Sequence, residues 1–374
     1  MKVLKRFLSL LLIPLSFVIL TGCTNSSDWN AIKNGKEMKI AILVSEEGYE
    51  EESTFVAGIK LAIEDAMGKG YKVSYKIFND ENNFDKGVSI AKEIVNNKDY
   101  QMAFSFQNMD TFDTISKLFE EGKKPLFSLE GAYDKTMNKG NKYIFNLQSS
   151  AENLGIAAGK YAVKKGFKRI AIAHSKGDFE LNFIEGFNDS IDKDSNVNVV
   201  DSVMGPNKEQ EFESVYNRWD ILGIDAVVIS FEDIDWGMDL IKLIKTKNPN
   251  IAIIADPYFN SPTLLKEYAQ YVENMVIPSN FPLDATTSLN KFYSDYKSKI
   301  STSLTPFVAQ GFDLVNIIVE KMQNNASVDE FINAMKSDEE YTGVTKIKFN
   351  LNGSFEGDAN YITVKNGIRE NLKI

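Results

Sequence analysis

A chain of 374 residues with 43% apolar content is long enough for two domains of ordinary size, each with its own core. The net charge of −10, with no basic cluster between the aromatic residues, argues against nucleic acid as a partner. One cysteine rules out an internal disulfide, and one histidine leaves little material for metal or acid-base centres.

Lys2, Lys5 and Arg6 form a positive start, and Phe7–Leu20 is an uncharged run of 14 residues interrupted by Pro14. Such a run is too short to span a bilayer comfortably and suits the core of a signal peptide. It ends in Leu20-Thr21-Gly22-Cys23, which resembles the bacterial lipobox, where the cysteine is lipidated and becomes the new N-terminus. Removal of residues 1–22 takes three positive charges and no negative one, deepening the net charge from −10 to −13. Two or more acyl chains on Cys23 would hold the protein stably at the membrane. Residues 23–36 are polar and without clear period, and read as a tether.

Lys39–Val44 is a continuous apolar run, the pattern of a parallel strand buried on both faces. A glutamate-rich loop, Ser45–Ser53, precedes a helix carrying Phe55, Ile59, Ala62, Ile63 and Ala66 on one face. Strands are expected at Val73–Phe78, Gln101–Phe106, Pro125–Leu129 and Lys142–Leu147, with helices at Lys86–Asn96 and Thr111–Glu121. Ser149 and Ser150 then cap a helix over Ala151–Lys164. This strand-to-helix junction reads as the first passage from one α/β lobe to another. The second lobe repeats the rhythm with strands at Arg169–His174, Val197–Val203, Asp225–Ser230 and Ile251–Ala255. Alternation of strands and helices predicts doubly wound, mainly parallel sheets. Asn274–Asn280 is a strand leading back towards lobe one, followed by helices at Leu289–Ile300, Phe307–Gln323 and Val328–Lys336. Val344–Phe349 and Ala359–Val364 flank Asn352-Gly353, a hairpin-type turn signal.

Several short motifs, in order, carry a family resemblance. They are Gly58-Ile59-Lys60-Leu61-Ala62-Ile63-Glu64-Asp65, Asn79-Asp80 at a strand end, Ala309-Gln310-Gly311-Phe312-Asp313, Phe349-Asn350-Leu351-Asn352-Gly353 and Asn366-Gly367. Together they resemble the type I periplasmic-binding-protein family, most closely the Leu/Ile/Val-binding branch of ABC-transporter solute receptors. The resemblance implies two doubly wound α/β lobes joined by three crossings, the third between Lys336 and Thr345. The expected division is 37–147 plus 279–336 for lobe one and 148–278 plus 337–374 for lobe two, behind the 1–22 signal peptide and the 23–36 tether.

No catalytic motif competes. There is no G-x-S-x-G, no H-E-x-x-H and no complete phosphate loop; Gly155–Lys160 is one residue short and lies within a helix. His174, at a strand end, reads as structural. No metal site and no cofactor are expected.

In open α/β sheets ligands sit beyond the carboxyl ends of the strands. Those loops supply the candidate ligand-binding residues: Tyr49, Phe106, Gln107, Asn108, Asp110, Ser128, Glu130 and Gly131 in lobe one, and Phe179, Phe231, Glu232, Asp256 and Tyr258 in lobe two. The resemblance places Asp256 where the family has an acidic ammonium ligand, and Phe179 where it has a tyrosine. Lobe one departs from the family, with Gln107-Asn108-Met109 in place of serines and Glu130 in place of a small residue. Acidic residues dominate these loops and Lys176 is their one cation, so the expected ligand carries an amine, held by Asp256 with help from Glu130 or Asp110 and by aromatic faces. The resulting expectation is a monomeric, lipid-anchored, extracytoplasmic receptor delivering a small zwitterionic or cationic solute to an ABC permease. A ligand-sensing subunit of a signalling partner is the alternative within binding, and a secreted hydrolase the alternative outside it.

Overall fold

The computed structural model describes residues 29, 31–32, 34–45, 55–129, 131–132, 134–191, 196–205, 209–280, 287–299, 306–337, 339–357 and 359–374. The signal peptide, Cys23, Tyr49, the glutamates of the first loop and Glu130 lie outside the described residues.

The first lobe begins with β1 (Met38–Val44), α1 (Phe55–Gly68), β2 (Val73–Asn79), α2 (Phe84–Asn96), β3 (Tyr100–Ser105), α3 (Met109–Glu121), β4 (Leu126–Ser128), α4 (Asp134–Met137) and β5 (Ile144–Asn146). Its sheet runs β2-β1-β3-β4-β5, all parallel. The second lobe follows with α5 (Ala151–Lys165), β6 (Arg169–His174), α6 (Asp178–Ser190), β7 (Asn198–Met204), α7 (Glu209–Leu222), β8 (Ala226–Ser230), α8 (Ile234–Lys247) and β9 (Ala252–Ala255). A 3-10 turn (Pro257–Phe259), α9 (Pro262–Glu267) and β10 (Val276–Ser279) come next. The chain then returns to lobe one for α10 (Thr287–Tyr296), α11 (Pro306–Asn324), α12 (Val328–Met335) and the short antiparallel pair β11 (Tyr341–Thr342) and β12 (Lys346–Ile347). It ends in lobe two with β13 (Asn360–Lys365) and β14 (Ile368–Asn371). The second sheet runs β14-β13-β10-β9-β8-β6-β7, antiparallel only where β13 meets β10 and β14.

Each sheet is sandwiched between helices. Ile40, Ile42, Phe104 and Phe145 face one core of lobe one, and Ala41, Leu43, Ala103 and Ile144 the other, as expected of strands buried on both faces. Two helix pairs pack unusually close. A Cβ at Gly58 would lie 1.9 Å from the carbonyl oxygen of Val308, so α1 and α11 meet backbone to backbone. Gly155 stands in the same relation to the Phe183 carbonyl, also at 1.9 Å, which joins α5 to α6. The near-phosphate-loop glycines thus serve helix packing.

Three expectations are corrected. Residues 23–36 are not tether throughout: Trp29 and Ile32 are buried in the lobe-one core, with the Trp29 ring 5.1 Å from Phe331. Their spacing of three puts both side chains on one side of a turn. The third crossing is not between Lys336 and Thr345, and 337–374 is not all lobe two. Ile347 and Phe349 are buried in the lobe-one core, so the crossing comes after Phe355. The buried carboxylate of Asp313 is the reason, because it accepts the Val344 N–H at 3.0 Å and the Thr345 hydroxyl at 2.7 Å, tying this segment to α11. Nor do Val344–Phe349 and Ala359–Val364 form a hairpin. Gly353 turns the chain within lobe one, and the hairpin partner of β13 is β14, joined by Asn366 and Gly367 with φ of 51° and 74°. Two successive positive φ values suit a tight hairpin turn that asparagine and glycine tolerate.

Candidate functional site

The carboxyl ends of both sheets face each other across a cleft. At its inner end lies a cavity of about 300 Å³ lined from both lobes and from the crossings. Lobe one contributes Met109, Gly131, Ala132, Asp134 and Phe307. Lobe two contributes Leu154, Phe179, Asn182, Tyr258, Asn260 and Arg369, and the crossings supply Gln148, Ser149, Ser279 and Asn280.

Of the sequence-predicted residues, the structure brings together Gly131, Phe179 and Tyr258. The two rings lie 4.7 Å apart at a 47° tilt, and Phe179 stacks in turn on Phe183 of the core at 6.4 Å. They form one aromatic wall, fixed from behind. Gly131 has φ of +127°, backbone open to glycine and strained for other residues. Its turn is closed by Ser128, whose hydroxyl donates to the Gly131 carbonyl and accepts its N–H at 3.1 Å. Ser128 is fully buried and shapes the loop from below.

The remaining predicted residues point elsewhere. Phe106 is buried against Phe55. Gln107 is buried too, and its amide donates to the Asp80 carboxylate beneath the loop. Asn108 is the N-cap of α3, accepting the Thr111 N–H at 2.9 Å, and Asp110 sits exposed in the first turn of that helix without lining the cavity. Phe231 is buried in the lobe-two core. Glu232 is exposed and lies outside the cavity wall.

Asp256 is the largest departure. It is fully buried, accepts the Ser230 hydroxyl at 2.7 Å and caps the 3-10 turn through the Tyr258 N–H at 2.8 Å. Burial pushes its carboxyl up to about 8 despite these bonds, so at neutral pH it is largely uncharged. Asp256 does not line the cavity. It holds Tyr258 at the cleft instead. His174 is buried, with Nδ1 2.8 Å from the Ser175 carbonyl oxygen.

Sequence reasoning missed two charged residues that do line the cavity. Asp134 opens α4, and its carboxylate accepts from the Ser150 hydroxyl and the Glu152 backbone at the start of α5. Burial raises it to about 6. Arg369 sits on β14, a strand far from the loops that strand-end logic searches. Its Nη1 donates to the Asn260 side-chain oxygen at 3.1 Å. Burial presses its pKa downward. Only the antiparallel turn-back of β14 beside β13 brings this end of the chain to the cleft, and no local signal announces it. Beyond the cavity, Lys135 reaches across to Asp178 at 2.9 Å, linking the lobes. Among the described residues no group of three or more acidic, histidine or cysteine side chains could hold a metal.

The sequence profile of the family described as periplasmic binding protein matches residues 37–367. Among solved structures, an ABC transporter substrate-binding protein from Desulfitobacterium hafniense, in complex with Leu, superposes with a TM-score of 0.78 at 18% identity, over 90% of this chain and 100% of that one. The branched-chain amino acid substrate-binding protein LivJ from Streptococcus pneumoniae, in complex with isoleucine, gives 0.71 at 15% identity, over 91% and 100%. A solute-binding protein from R. palustris in complex with benzoate gives 0.69 at 16% identity, over 90% and 95%. At these identities the likeness shows the fold alone. A search of curated proteins finds no match.

Proposed function

The chain belongs to the periplasmic binding protein family, solute receptors with an extracytoplasmic role, and on that premise we propose that it captures an amine-bearing solute, most simply an amino acid, in the interlobe cavity. It is held at the outer face of the cell membrane by lipid on Cys23 and delivers its solute to an ABC permease. The observation that carries the ligand class is Asp134. It is the acidic side chain among the described cavity residues, half-buried and directly beside space for a ligand. At neutral pH it is mostly ionised, and in so sheltered a site a carboxylate favours a ligand ammonium over a neutral group. The aromatic wall of Phe179 and Tyr258 adds an apolar and cation-accepting surface. Solved relatives in complex with leucine and isoleucine support the amino-acid reading.

Closure of two lobes on a solute fits the hinge type of motion. Calorimetry of the mature protein against amino acids and their des-amino analogues tests the ligand class. Asp134→Asn is expected to weaken amine binding by about tenfold or more while leaving des-amino analogues unchanged. Equal binding of both analogue classes by the parent protein refutes the amine reading. Lipid labelling that persists in Cys23→Ala refutes the anchor.

A further inference from the structure

Among the described residues, little justifies the charge of Arg369. Among the described residues no carboxylate lies within ion-pair distance of its guanidinium, and its hydrogen bonds go to the side-chain and backbone oxygens of Asn260, both through Nη1. A guanidinium carries five N–H donors in a planar fork, so among the described residues most of its donor capacity is open. The group is partly buried and lines the cavity, where its hydration is curtailed. A charge in such a place is costly unless something pairs with it.

The acidic surroundings that the sequence suggests are largely removed by the fold. Asp256 is buried behind Tyr258, Asp178 is paired with Lys135, and Glu232 and Asp110 do not line the cavity. The charged side chains of the described wall are one acid and one base, Asp134 and Arg369. A second unmet polar atom lies in the same cavity. Asn280 donates from Nδ2 to the Gln148 side chain at 2.6 Å, while its Oδ1 is buried and, among the described residues, receives nothing.

We propose that Arg369 is the anchor for a carboxylate of the bound solute, offered from the last hairpin of lobe two, and that Asn280 Oδ1 accepts a hydrogen bond from the same solute. This rests on the reading of the cavity as the solute site and adds to it the anionic end of the ligand. A guanidinium fork meets a carboxylate with two parallel hydrogen bonds, which lysine cannot reproduce. The carboxylate is thus read by a lobe-two side chain.

The test uses the mature protein and a library of carboxylates, each paired with its amide, with free amines and neutral sugars alongside. Binding is read by thermal shift and then calorimetry. At least one carboxylate is expected to bind, its amide to bind on the order of 10- to 100-fold more weakly, and Arg369→Gln to remove that preference. Arg369→Lys should restore part of it, and Asn280→Leu, which removes the acceptor, should weaken binding of the same solute; unchanged binding in Asn280→Leu overturns the Asn280 contact. Unliganded melting temperatures of the variants show whether each is folded. Carboxylates bound no better than their amides, or an acid preference that survives Arg369→Gln, overturns the proposal. If amines or sugars bind and no carboxylate does, the Arg369 assignment falls and the receptor reading stands. If an acid lacking an amine binds through Arg369 and ignores Asp134→Asn, the amine reading falls and Arg369 stands. Failure of every class to bind removes both.

Discussion

The two lobes meet the cleft in different ways. The strand-end loops of lobe one are occupied with themselves: Ser128 closes the Gly131 turn, Gln107 serves Asp80, and Asn108 caps α3. Lobe two turns side chains outward, with Phe179, Tyr258, Asn182 and Arg369 all on the cavity wall. The same strand-helix rhythm therefore builds a firm backbone rim on one side and a reading surface on the other. Residue type alone does not say which: a polar loop residue is as ready to satisfy its own backbone as a ligand.

If this division holds, truncation should cost affinity in lobe two and stability in the strand-end loops of lobe one, with Asp134 of α4 the lobe-one side chain whose loss costs affinity. The largest effect is expected from removing both rings. Phe179→Ala combined with Tyr258→Ala should weaken ligand binding by about 3 kcal/mol, measured by calorimetry, because the rings form one continuous contact face on the cavity wall. A loss under about 1 kcal/mol would place the reading surface elsewhere. Next, Gln107→Ala leaves the buried Asp80 carboxylate without that donor, and should lower unfolding free energy by about 2 kcal/mol with little change in ligand affinity. An affinity loss at unchanged stability would make Gln107 a contact residue after all.

The last effect concerns the pH dependence of stability at Asp256, and its sign is informative. Its folded carboxyl titrates at about 8, far above an exposed aspartate, so the folded state holds the proton more tightly than the unfolded chain. Stability from this group is fully present below pH 4 and is lost as pH rises towards 8, by at most about 1.4 kcal/mol per pH unit. Asp256→Asn keeps an acceptor for Ser230 and Tyr258 and should remove that slope. Denaturant titrations between pH 5 and 8 are expected to run flatter in the variant, with ligand affinity changed less than about threefold. A large affinity loss would return Asp256 to the site.

Much of the fold could be read from the chain. Lys39–Val44 and Arg169–His174 are apolar runs whose burial follows from composition, and they stand as central strands within a residue of expectation. The third crossing could not be read, because its position depends on Asp313 reaching a segment some thirty residues away in sequence. The aromatic members of the site were accessible for the same reason as the strands, since strand ends can be counted. Asp256 misled because a carboxylate at a strand end looks identical whether it faces the cleft or caps a turn beneath it. Arg369 was invisible because long-range antiparallel pairing decides where the C-terminus lies, and pattern within a window carries no word of it.

Asn280 sits where all three connections between the lobes converge. Its side chain bonds Gln148 of the first, it belongs to the second, and its carbonyl accepts from Asn360 at the threshold of the third. The floor of the cavity and the fulcrum of the molecule are the same few amides. A solute touching them would bear directly on the joints between the lobes, where hinge closure of such a fold is set.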